Sequence, residues 1–418
     1  MKFVEICWNI RCEVWTKPCR AEYMLEGPVG IKSILCRRIL NSHAGFTNEF
    51  VIELDDGRVG AGAAAQGETI SIYEDDRIAT DPETIIASLR RDRVFDVPHT
   101  QKTFDEYLEQ HIAQIGRNNA FALSLALFNA RKESESIFEL FGRPKSPLHA
   151  PAICLNILNG GWHAYTNPVL SDFSEYLLVA RTNDVERTIR DHGEIQRKVR
   201  ELLMKLERLV VRNNPVHRFA TLDNRECIDF LLDIRDGLGL SDAYDLMIDA
   251  SAGDLRDGDG YRLSLTDQKC RSTEEIFEYW MSLISDYGIA FLEDPFHETD
   301  FPNWARLTTA QPRCRVVGDN LYSSDSTRIE DGAKHKRSHG AVIKPNQSGT
   351  VSAVERAIET AQACDILVIT SHRSISTEST FLATLSCVFN VKYIKIGPLF
   401  TDYSSIIRLN EILRLTEG

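Results

Sequence analysis

Short apolar runs, each closed by a polar or charged residue, recur along the chain from about residue 240 onward. They read YDLMIDAS, GIAFLEDP, RCRVVGDN, GAVIKPN, DILVITSHRS and VKYIKIG, and their closing polar residues are Asp249, Glu293, Asp319, Lys344, His372 and Lys395. From Glu293 onward these residues recur every 23 to 28 positions, about the length of one strand, one helix and two short loops. Intervening segments such as TVSAVERAIETAQAC carry apolar residues at helical spacing. The pattern predicts a parallel (β/α) barrel with a site at the carboxyl ends of its strands.

The first third of the chain follows a different pattern. TNEFVIELDDGRVGAGAA predicts a hairpin with an Asp-Gly turn, and RNNAFALSLALFNARKESESIFELFG predicts a helix packed through small and apolar residues. We therefore expect an α+β domain over residues 31–146, followed by the barrel over residues 147–418. Residues 1–30 fit neither block and are treated as an N-terminal extension with no predicted role.

Composition narrows the class of protein. The 418 residues are 43% hydrophobic, without an apolar run of the roughly 18 to 20 residues that a membrane span needs. The amino-terminal residues MKFVEICWNIRCEVW mix charge into their apolar run, unlike a secretory signal. We therefore expect a cytoplasmic protein that does not act at a membrane.

Cysteine spacing and net charge exclude further classes. The ten cysteines include no C-x-x-C pair, so neither a zinc ribbon nor a disulfide scaffold is indicated. The net charge of -13 disfavours nucleic acid as the main partner, because a nucleic-acid backbone rewards basic surfaces. An anionic substrate stays compatible with this charge, since a few cations can invert the field inside one pocket.

The polar strand ends are the candidates for chemistry. Asp249, Glu293 and Asp319 would meet at one rim of a barrel, where a hard cation such as Mg²⁺ would relieve their repulsion. The alternative is that each one is a helix cap or a surface acid. Lys344 and Lys395 end apolar strands; near other cations and away from water, such a lysine has a lowered pKa and can act as a base. The alternative for each lysine is a simple pairing with one of the acids.

Six motifs in order resemble the motif series of the enolase family: LNILNGGWHA, FLEDPF, VVGDNL, IKPNQSGT, SHRS and YIKIG. The likeness spans about residues 31 to 416 and includes RILNSHAGFTNEFVIELDDG near the start. It implies an α/β fold, a (β/α)8 enolase-type barrel preceded by a smaller α+β N-terminal domain. It also implies one or two Mg²⁺ ions per subunit, as in the enolase-superfamily sites that use a lysine base. A homodimer or higher homo-oligomer is expected on the same ground.

The resemblance assigns roles to individual positions. Asp249, Glu293 and Asp319 match the ligands of the Mg²⁺ that holds the substrate carboxylate. Lys344 matches the lysine that removes the neighbouring proton, and Lys395 matches the lysine that helps to neutralise the resulting dianion. The chemistry needs this set, because a carbon acid beside a carboxylate ionises only if positive charge absorbs the second negative charge.

Further positions match the substrate pocket of the family. Arg373 and Ser374, in SHRS, resemble the pair that holds the phosphate, a guanidinium fork beside a hydroxyl. His372 and His163 match histidines that line the pocket. For each histidine the alternative is a residue that serves packing alone.

The loop that closes over the site in enolases departs from the family pattern. The matching stretch is AAAQGETISIYE, where Gln66 takes the place of the first serine and Thr69 that of the serine that touches the second metal. Thr69 keeps a hydroxyl, so the metal contact is expected to survive. Ser71 takes the place of the last glycine, and Glu68 adds a charge. We expect a changed lid shape and less hinge freedom.

The two catalytic glutamates of the family are less clearly matched. The segment SEYLLVA places Glu175 in the first role, with Asp172 as a rival because of a short insertion. The second glutamate, which helps the hydroxyl leave as water, should lie in RNNPVHRF, where Pro215 stands instead. Losing a general acid typically costs about 10²- to 10⁴-fold in rate. His217 is the candidate to contact the substrate and donate a proton there; the alternative is an ordinary loop residue.

Three hypotheses of function remain. The two enzymatic ones act on a small anionic partner, a phosphorylated or phosphonylated three-carbon acid. The first is a phosphopyruvate hydratase, which converts 2-phosphoglycerate to phosphoenolpyruvate. The second, favoured by the altered lid and the missing acid, resembles the carboxyphosphonoenolpyruvate synthases of phosphinothricin (bialaphos) biosynthesis. These join a phosphonoformyl group, here expected from CMP-activated phosphonoformate, to an enol oxygen. The third is a catalytically silent, enolase-like binding protein.

Overall fold

The computed structural model describes residues 27–67, 70–74, 80–161, 166–205, 210–211, 216–217, 219–399 and 402–417. Residues 1–26 of the extension lie outside this range. Among the described residues, no helix combines the length and the apolar character that a membrane crossing requires.

The strands, numbered in chain order, are β1 (Ile31–Leu40), β2 (Phe46–Leu54), β3 (Val59–Ala63), β4 (Ala152–Asn159), β5 (Val169–Leu170), β6 (Glu175–Ala180), β7 (Val210–Val211), β8 (Val216–His217), β9 (Phe219–Ala220), β10 (Tyr244–Asp249), β11 (Arg256–Asp257), β12 (Gly260–Arg262), β13 (Cys270–Arg271), β14 (Phe291–Glu293), β15 (Arg315–Gly318), β16 (Gly340–Ile343), β17 (Leu367–Ser371) and β18 (Tyr393–Lys395).

The helices are α1 (Pro82–Arg91), α2 (Gln101–Gln110), α3 (Ile112–Ile115), α4 (Arg117–Lys132), α5 (Ile137–Leu140), α6 (Val185–Lys205), α7 (Arg225–Gly237), α8 (Thr273–Tyr287), α9 (Phe301–Ala310), α10 (Ser326–Lys334), α11 (Pro345–Ser348), α12 (Val351–Ala363), α13 (Phe381–Val388) and α14 (Tyr403–Thr416). Two 3₁₀ helices cover Val94–Asp96 and Ala252–Leu255.

The N-terminal domain is an antiparallel sheet in the order β1-β2-β3, with α4 packed on it. The expected hairpin is confirmed, because β2 and β3 pair on either side of the Asp-Gly turn. Two glycines of β3 allow the close approach of the helix. A Cβ on Gly60 would lie 2.1 Å from the backbone nitrogen of Ala130, and one on Gly62 would lie 2.2 Å from the carbonyl of Ala122.

The barrel is a closed ring of eight strands in the order β10-β14-β15-β16-β17-β18-β4-β6. The pairs from β10 through β18 to β4 are parallel, which confirms the array predicted for the second half of the chain. Strand β6 differs, since it runs antiparallel to both of its neighbours, β4 and β10. Its amino end therefore lies at the same rim as the carboxyl ends of the other strands.

The interior of the barrel explains why the polar strand ends converge. A separate apolar cluster fills the interior, with buried members from seven of the eight strands: Cys154, Leu177, Val179, Met247, Phe291, Val317, Val342 and Ile369. The eighth strand, β18, packs Tyr393 against this cluster. Side chains two positions apart on a strand point to the same face. Two positions from each apolar residue, toward the rim formed by the carboxyl ends of the parallel strands, the next side chain that points inward is polar. These polar residues are Asn156, Glu175, Asp249, Glu293, Asp319, Lys344, Ser371 and Lys395. The alternation places all eight side chains above the apolar layer.

The N-terminal domain caps a barrel helix that follows the Lys344 strand. Asp105 Oδ2 accepts hydrogen bonds from the backbone nitrogen and the hydroxyl of Ser352, at 2.8 and 2.7 Å. Ser124 Oγ accepts from the backbone nitrogen of Val351 at 2.9 Å. The first amides of a helix lack partners within it and favour negative charge, so these contacts stabilise α12 and fix the two domains to each other.

Asp105 should give the protein a measurable pH dependence. Its burial raises the pKa of its carboxyl to about 6, so folding favours the protonated form. The associated stability is present below about pH 4 and is lost as the pH rises through about 6. Glu355 titrates higher, because burial and then Asp105 raise its pKa to about 8.

We expect the free energy of unfolding of wild type, relative to Asp105→Asn, to fall by up to about 3 kcal/mol between about pH 4 and pH 6.5. Urea unfolding of both proteins at the two pH values measures this difference. The same pH dependence in both proteins would show that the Asp105 carboxyl does not titrate as described.

Candidate functional site

A polar pocket opens at the carboxyl rim of the barrel, where the chemistry was predicted. Glu175, Asp249 and Asp319 line it, together with both candidate lysines, Lys344 and Lys395. His372, Arg373 and Ser374 also line it. The structure thus brings together the strand-end residues and the SHRS segment.

Lys395 lies at the centre of the acidic cluster. Its Nζ is 2.9 and 3.0 Å from the two carboxylate oxygens of Glu293, and 3.1 Å from Oδ2 of Asp249. It is also 2.8 Å from Oε2 of Glu175. Burial acts to lower the pKa of Lys395, but the three carboxylates outweigh it and hold the pKa well above its usual value. The surrounding acids thus favour the protonated form of Lys395, and the lowering of the pKa expected beside other cations stays a prediction.

Glu293 is the most enclosed of the acids, with no exposed surface. Burial first, and then the charge of Asp249, raise its pKa well above the usual value, although Lys395 acts in the opposite direction. Asp294 behaves in the same way, because burial and the charges of Asp319 and Asp249 raise its pKa. Ionising both acids at once is therefore unfavourable at this rim unless further positive charge is present.

Lys344 extends from the end of β16 and contacts Asp319, with its Nζ against Oδ2. Its backbone nitrogen donates to Ser324 Oγ at 2.8 Å, which fixes the start of the loop that follows the strand. Both lysines are thus paired with acids in this structure. Pairing with an acid was the alternative to a free base that the sequence left open for each lysine.

Whether the acids suit a hard cation can be judged from their donor atoms and their charge. In and directly beside the pocket, the described residues provide six carboxyl groups and three cationic side chains: Glu74, Glu175, Asp249, Glu293, Asp294 and Asp319 against Lys344, Arg373 and Lys395. Carboxylate oxygens are the ligands that Mg²⁺ prefers. Among the described residues, no three acids, histidines or cysteines form a ready metal cage; Lys395 lies among the carboxylates instead. Charge and donor type fit a divalent cation.

The choice between Glu175 and Asp172 is clear in geometric terms. Glu175 begins the antiparallel strand β6, lines the pocket and accepts a hydrogen bond from Asn156 Nδ2 at 2.6 Å. Asp172 is buried elsewhere: it accepts from the backbone nitrogen of Leu265 at 2.7 Å and from the hydroxyl of Thr266. The structure therefore places Glu175 at the site and gives Asp172 a structural role.

Arg373 follows β17 and is buried against the N-terminal domain. Its Nη1 donates to Glu74 Oε2 at 2.8 Å, and the two side chains expose only 3% and 1% of their surface. Gly67 leaves room for it, since a Cβ there would lie 1.7 Å from Arg373 Nη2 and would displace the guanidinium. Ser374 lines the same pocket. The expected anion-holding pair is therefore at the site, with a carboxylate behind its guanidinium.

His372 is placed differently from the other predicted strand-end residues. Strand β17 ends at Ser371, which takes the interior position, and His372 follows it. The Nδ1 of His372 is 2.7 Å from the carbonyl oxygen of Arg373. Burial first, and then the positive charge of Arg408, lower the pKa of His372 well below the usual value. The imidazole is therefore neutral near neutral pH.

The stretch expected to form a lid contacts the barrel at several points. Gln66 and Ile375 exchange two backbone hydrogen bonds, of 2.8 and 3.1 Å. Ser71, which is predicted to take the place of a family glycine, is buried and donates from its hydroxyl to the carbonyl of Asn320 at 3.0 Å. Ser71 thus provides a contact between the N-terminal domain and the barrel. The predicted loss of hinge freedom stays a prediction.

Several predicted residues lie outside the described part of the chain: His163, Glu68, Thr69 and Pro215. His217 belongs to the short strand β8, but its side chain is not described. Their predicted roles stay predictions.

Three residues at the site were missed from the sequence: Asn156, Asp294 and Glu74. Asn156 could have been found, because it stands two positions after the apolar Cys154 on a buried strand. Asp294 directly follows Glu293 and accepts from the backbone nitrogens of Asp319 and Asn320, both at 2.9 Å. Glu74 comes from the other domain, and no local pattern marks it.

Comparison with known proteins gives one consistent result. Residues 147–418 match the family described as "Enolase, C-terminal TIM barrel domain". The chain is 29% identical over 417 residues to a protein named Enolase from Acidothermus cellulolyticus, covering 93% of this chain and 94% of that protein. It is 27% identical over 414 residues to Enolase from Anaplasma marginale, with 93% and 94% coverage. It is also 27% identical to Enolase from Haloquadratum walsbyi over 406 residues, with 93% and 98% coverage.

The contrast between Asp172 and Glu175 predicts effects of different size on stability. Asp172→Asn puts an amide donor among groups that already donate, so we expect it to lower the free energy of unfolding by about 1 to 3 kcal/mol. Glu175→Gln keeps an acceptor for Asn156. Its amide then faces Lys395, but that lysine keeps the carboxylates of Asp249 and Glu293 and the acidic cluster loses one repulsive charge, so we expect a change of less than about 1 kcal/mol. Urea unfolding in the presence of a metal chelator measures both. An equal loss in the two variants would contradict the assignment.

Proposed function

This chain belongs to the enolase family, and on that premise we propose that it is a Mg²⁺-dependent enzyme that removes a proton next to the carboxylate of a small phosphorylated or phosphonylated three-carbon acid. The observation that supports the proposal most is the shared pocket of Lys344, Lys395 and Arg373 beside the buried acids. Such a set combines a base, a fixed cation and an anion-holding guanidinium in one place.

Asp249, Glu293 and Asp319 are the residues that would hold Mg²⁺, which supplies positive charge to the substrate carboxylate and to the enolate when bound. Glu175, beside Lys395, belongs to the same acidic wall. The fixed charge of Lys395 favours the second negative charge that forms when the proton leaves.

Lys344 is the proposed base. Its Nζ contacts Asp319, so proton removal requires that this contact be given up and that the amine be neutral. The proton of the carbon next to the carboxylate then moves to Nζ. Arg373 and Ser374 would hold the phosphate or phosphonate group at the other end of the molecule. They would thereby place the carbon that loses its proton beside Lys344. His372, which is neutral, contributes a polar wall without charge.

The proposal continues from this common step to a diverged reaction. RNNPVHRF carries no carboxylate where the family has its dehydrating acid. We propose that the acid used in this reaction has a C2 oxygen without phosphate and that this enol oxygen attacks the phosphorus of CMP-activated phosphonoformate. The new O–P bond forms while the bond from that phosphorus to CMP breaks, and CMP leaves with the bonding electron pair, as the resemblance to carboxyphosphonoenolpyruvate synthases implies. His163, Thr69 and His217 are proposed to complete the pocket. A homodimer or larger homo-oligomer remains a prediction.

A second candidate is phosphopyruvate hydratase. It is favoured by the relatives named Enolase, which match this chain along most of its length. The two candidates share proton removal by Lys344 and differ in the fate of the resulting enolate. A silent binding protein is disfavoured, because burying charged groups lowers the free energy of unfolding and a purely structural role offers no compensating gain.

One incubation distinguishes these candidates. The protein is mixed with 2-phosphoglycerate and Mg²⁺ in deuterated water, and exchange at C2 and formation of phosphoenolpyruvate are followed. We expect exchange without appreciable phosphoenolpyruvate, and a new carbon–phosphorus compound when CMP-activated phosphonoformate is added to an enol-forming acid. Rapid formation of phosphoenolpyruvate would establish the hydratase instead. No exchange and no product would contradict the proposed function.

The role of Lys344 is tested by Lys344→Ala, with Lys334→Ala on the exposed end of α10 as the matched control. Removal of the base should slow C2 exchange by about 10²-fold or more, and the control should keep the wild-type rate. If Lys344→Ala exchanged at the wild-type rate, another group would have to be the base.

A further inference from the structure

Glu74 links three parts of the molecule through one buried carboxylate. Its Oε2 accepts from Arg373 Nη1 at 2.8 Å, and its Oε1 accepts from Gln347 Nε2 at 3.0 Å. The same Oε1 is 3.3 Å from the backbone nitrogen of Ser71. One carboxylate thus joins the 70–74 segment of the N-terminal domain to two different barrel loops.

The contact with Gln347 continues to the proposed base. Gln347 Oε1 accepts from Ser324 Oγ at 2.7 Å, and Ser324 Oγ in turn accepts from the backbone nitrogen of Lys344 at 2.8 Å. Gln347 Nε2 is also 3.5 Å from Oδ1 of Asp319. A chain of short polar contacts therefore runs from Glu74 to the start of the Lys344 loop.

The 70–74 segment is held on the barrel by further contacts. The backbone nitrogen of Ile72 donates to Glu298 Oε1 at 3.0 Å, and Ser71 Oγ donates to the carbonyl of Asn320 at 3.0 Å. Asn320 directly follows Asp319. Several hydrogen bonds therefore hold the segment between two barrel loops, and the Glu74 side chain is buried there.

From these contacts we propose that Glu74 is a positioning residue. It sets the orientation of both the Arg373 guanidinium and the Lys344 loop. Both orientations therefore depend on the contacts of residues 70–74 with the barrel. The inference deepens the proposed function, since it assumes that Arg373 holds the anionic group of the acid. Glu74 itself touches neither the acid nor the base.

The energetics favour a strong effect. A buried ion pair is strongly disturbed when one partner is removed, because the other charge stays in a poorly solvated place. In Glu74→Gln the side chain keeps its shape but has one acceptor where the carboxylate has two. Either Arg373 or Gln347 then faces an amide that donates instead of accepting. In either orientation the charge that attracted the guanidinium is gone, so residues 70–74 are held less firmly on both barrel loops.

Hydrogen–deuterium exchange on the ligand-free protein tests this coupling. In Glu74→Gln we expect the amides of residues 70–74 and of residues 344–348 to exchange about tenfold faster or more than in wild type. The β2 amides Phe50–Leu54 serve as an internal reference and should not change. The matched control is Glu135→Gln, which breaks the buried pair of Glu135 with Arg131 within the N-terminal domain and should leave both site segments unchanged.

Three outcomes would overturn the proposal. Unchanged exchange at both segments would mean that Glu74 holds neither. Faster exchange confined to residues 70–74 would mean that it holds the segment but not the Lys344 loop. Equally faster exchange in the β2 reference, or the same changes in Glu135→Gln, would reduce its role to general stability.

A kinetic measurement separates positioning from structure. With 2-phosphoglycerate, the KM for C2 exchange should rise about tenfold in Glu74→Gln, because a guanidinium that has lost its contact with Glu74 is held less firmly. The kcat should fall by about threefold or more, because the loop that carries Lys344 is loosened. Glu135→Gln should change neither constant, and an unchanged KM in Glu74→Gln would contradict positioning of Arg373. Absence of exchange in wild type would count against the proposed function alone, while the amide exchange still decides the coupling by Glu74.

Discussion

Positive charge has to balance the carboxylates at the carboxyl rim of the barrel, and the rest of the site is arranged around that requirement. Glu293 has no exposed surface, and the charges that shift its pKa most are those of Asp249, which raises it, and Lys395, which lowers it. In a poorly solvated place, acids of this kind are tolerated only when they are paired, protonated or bound to a cation. Lys395 supplies part of the balance. A divalent cation would supply the remainder.

Strand alternation made much of this site predictable. An apolar interior residue such as Met247 or Phe291 is followed two positions later by an acid, so the pattern of each run locates both the core layer and the rim. The same rule fails for Glu175, which begins a strand instead of ending one. It could be placed only once the antiparallel direction of β6 was known. The contacts of the two lysines could not be predicted either, because a sequence does not say which acid a long, flexible side chain will contact.

Contacts between the domains mark the limit of what the sequence could predict. Glu74 lies 299 positions from Arg373 and 273 from Gln347, and no periodicity connects them. Asp105 likewise caps α12 from 247 positions away. Both carboxylates belong to the N-terminal domain and both stabilise loops or helix ends of the barrel. The smaller domain is therefore part of the site as well as a neighbour of it, which is consistent with a likeness to enolases that extends along most of the chain.

The central claim, that the buried acids of the rim bind a divalent cation, is tested most directly by titration of Mn²⁺ followed by electron paramagnetic resonance. Wild type should bind at least one Mn²⁺ per chain, and Mg²⁺ should displace it. Glu293→Gln should weaken this binding by about tenfold or more, whereas Glu135→Gln, which alters an equally buried acid far from the rim, should bind as wild type does. Equal binding by wild type and Glu293→Gln, or no binding by wild type, would contradict the account.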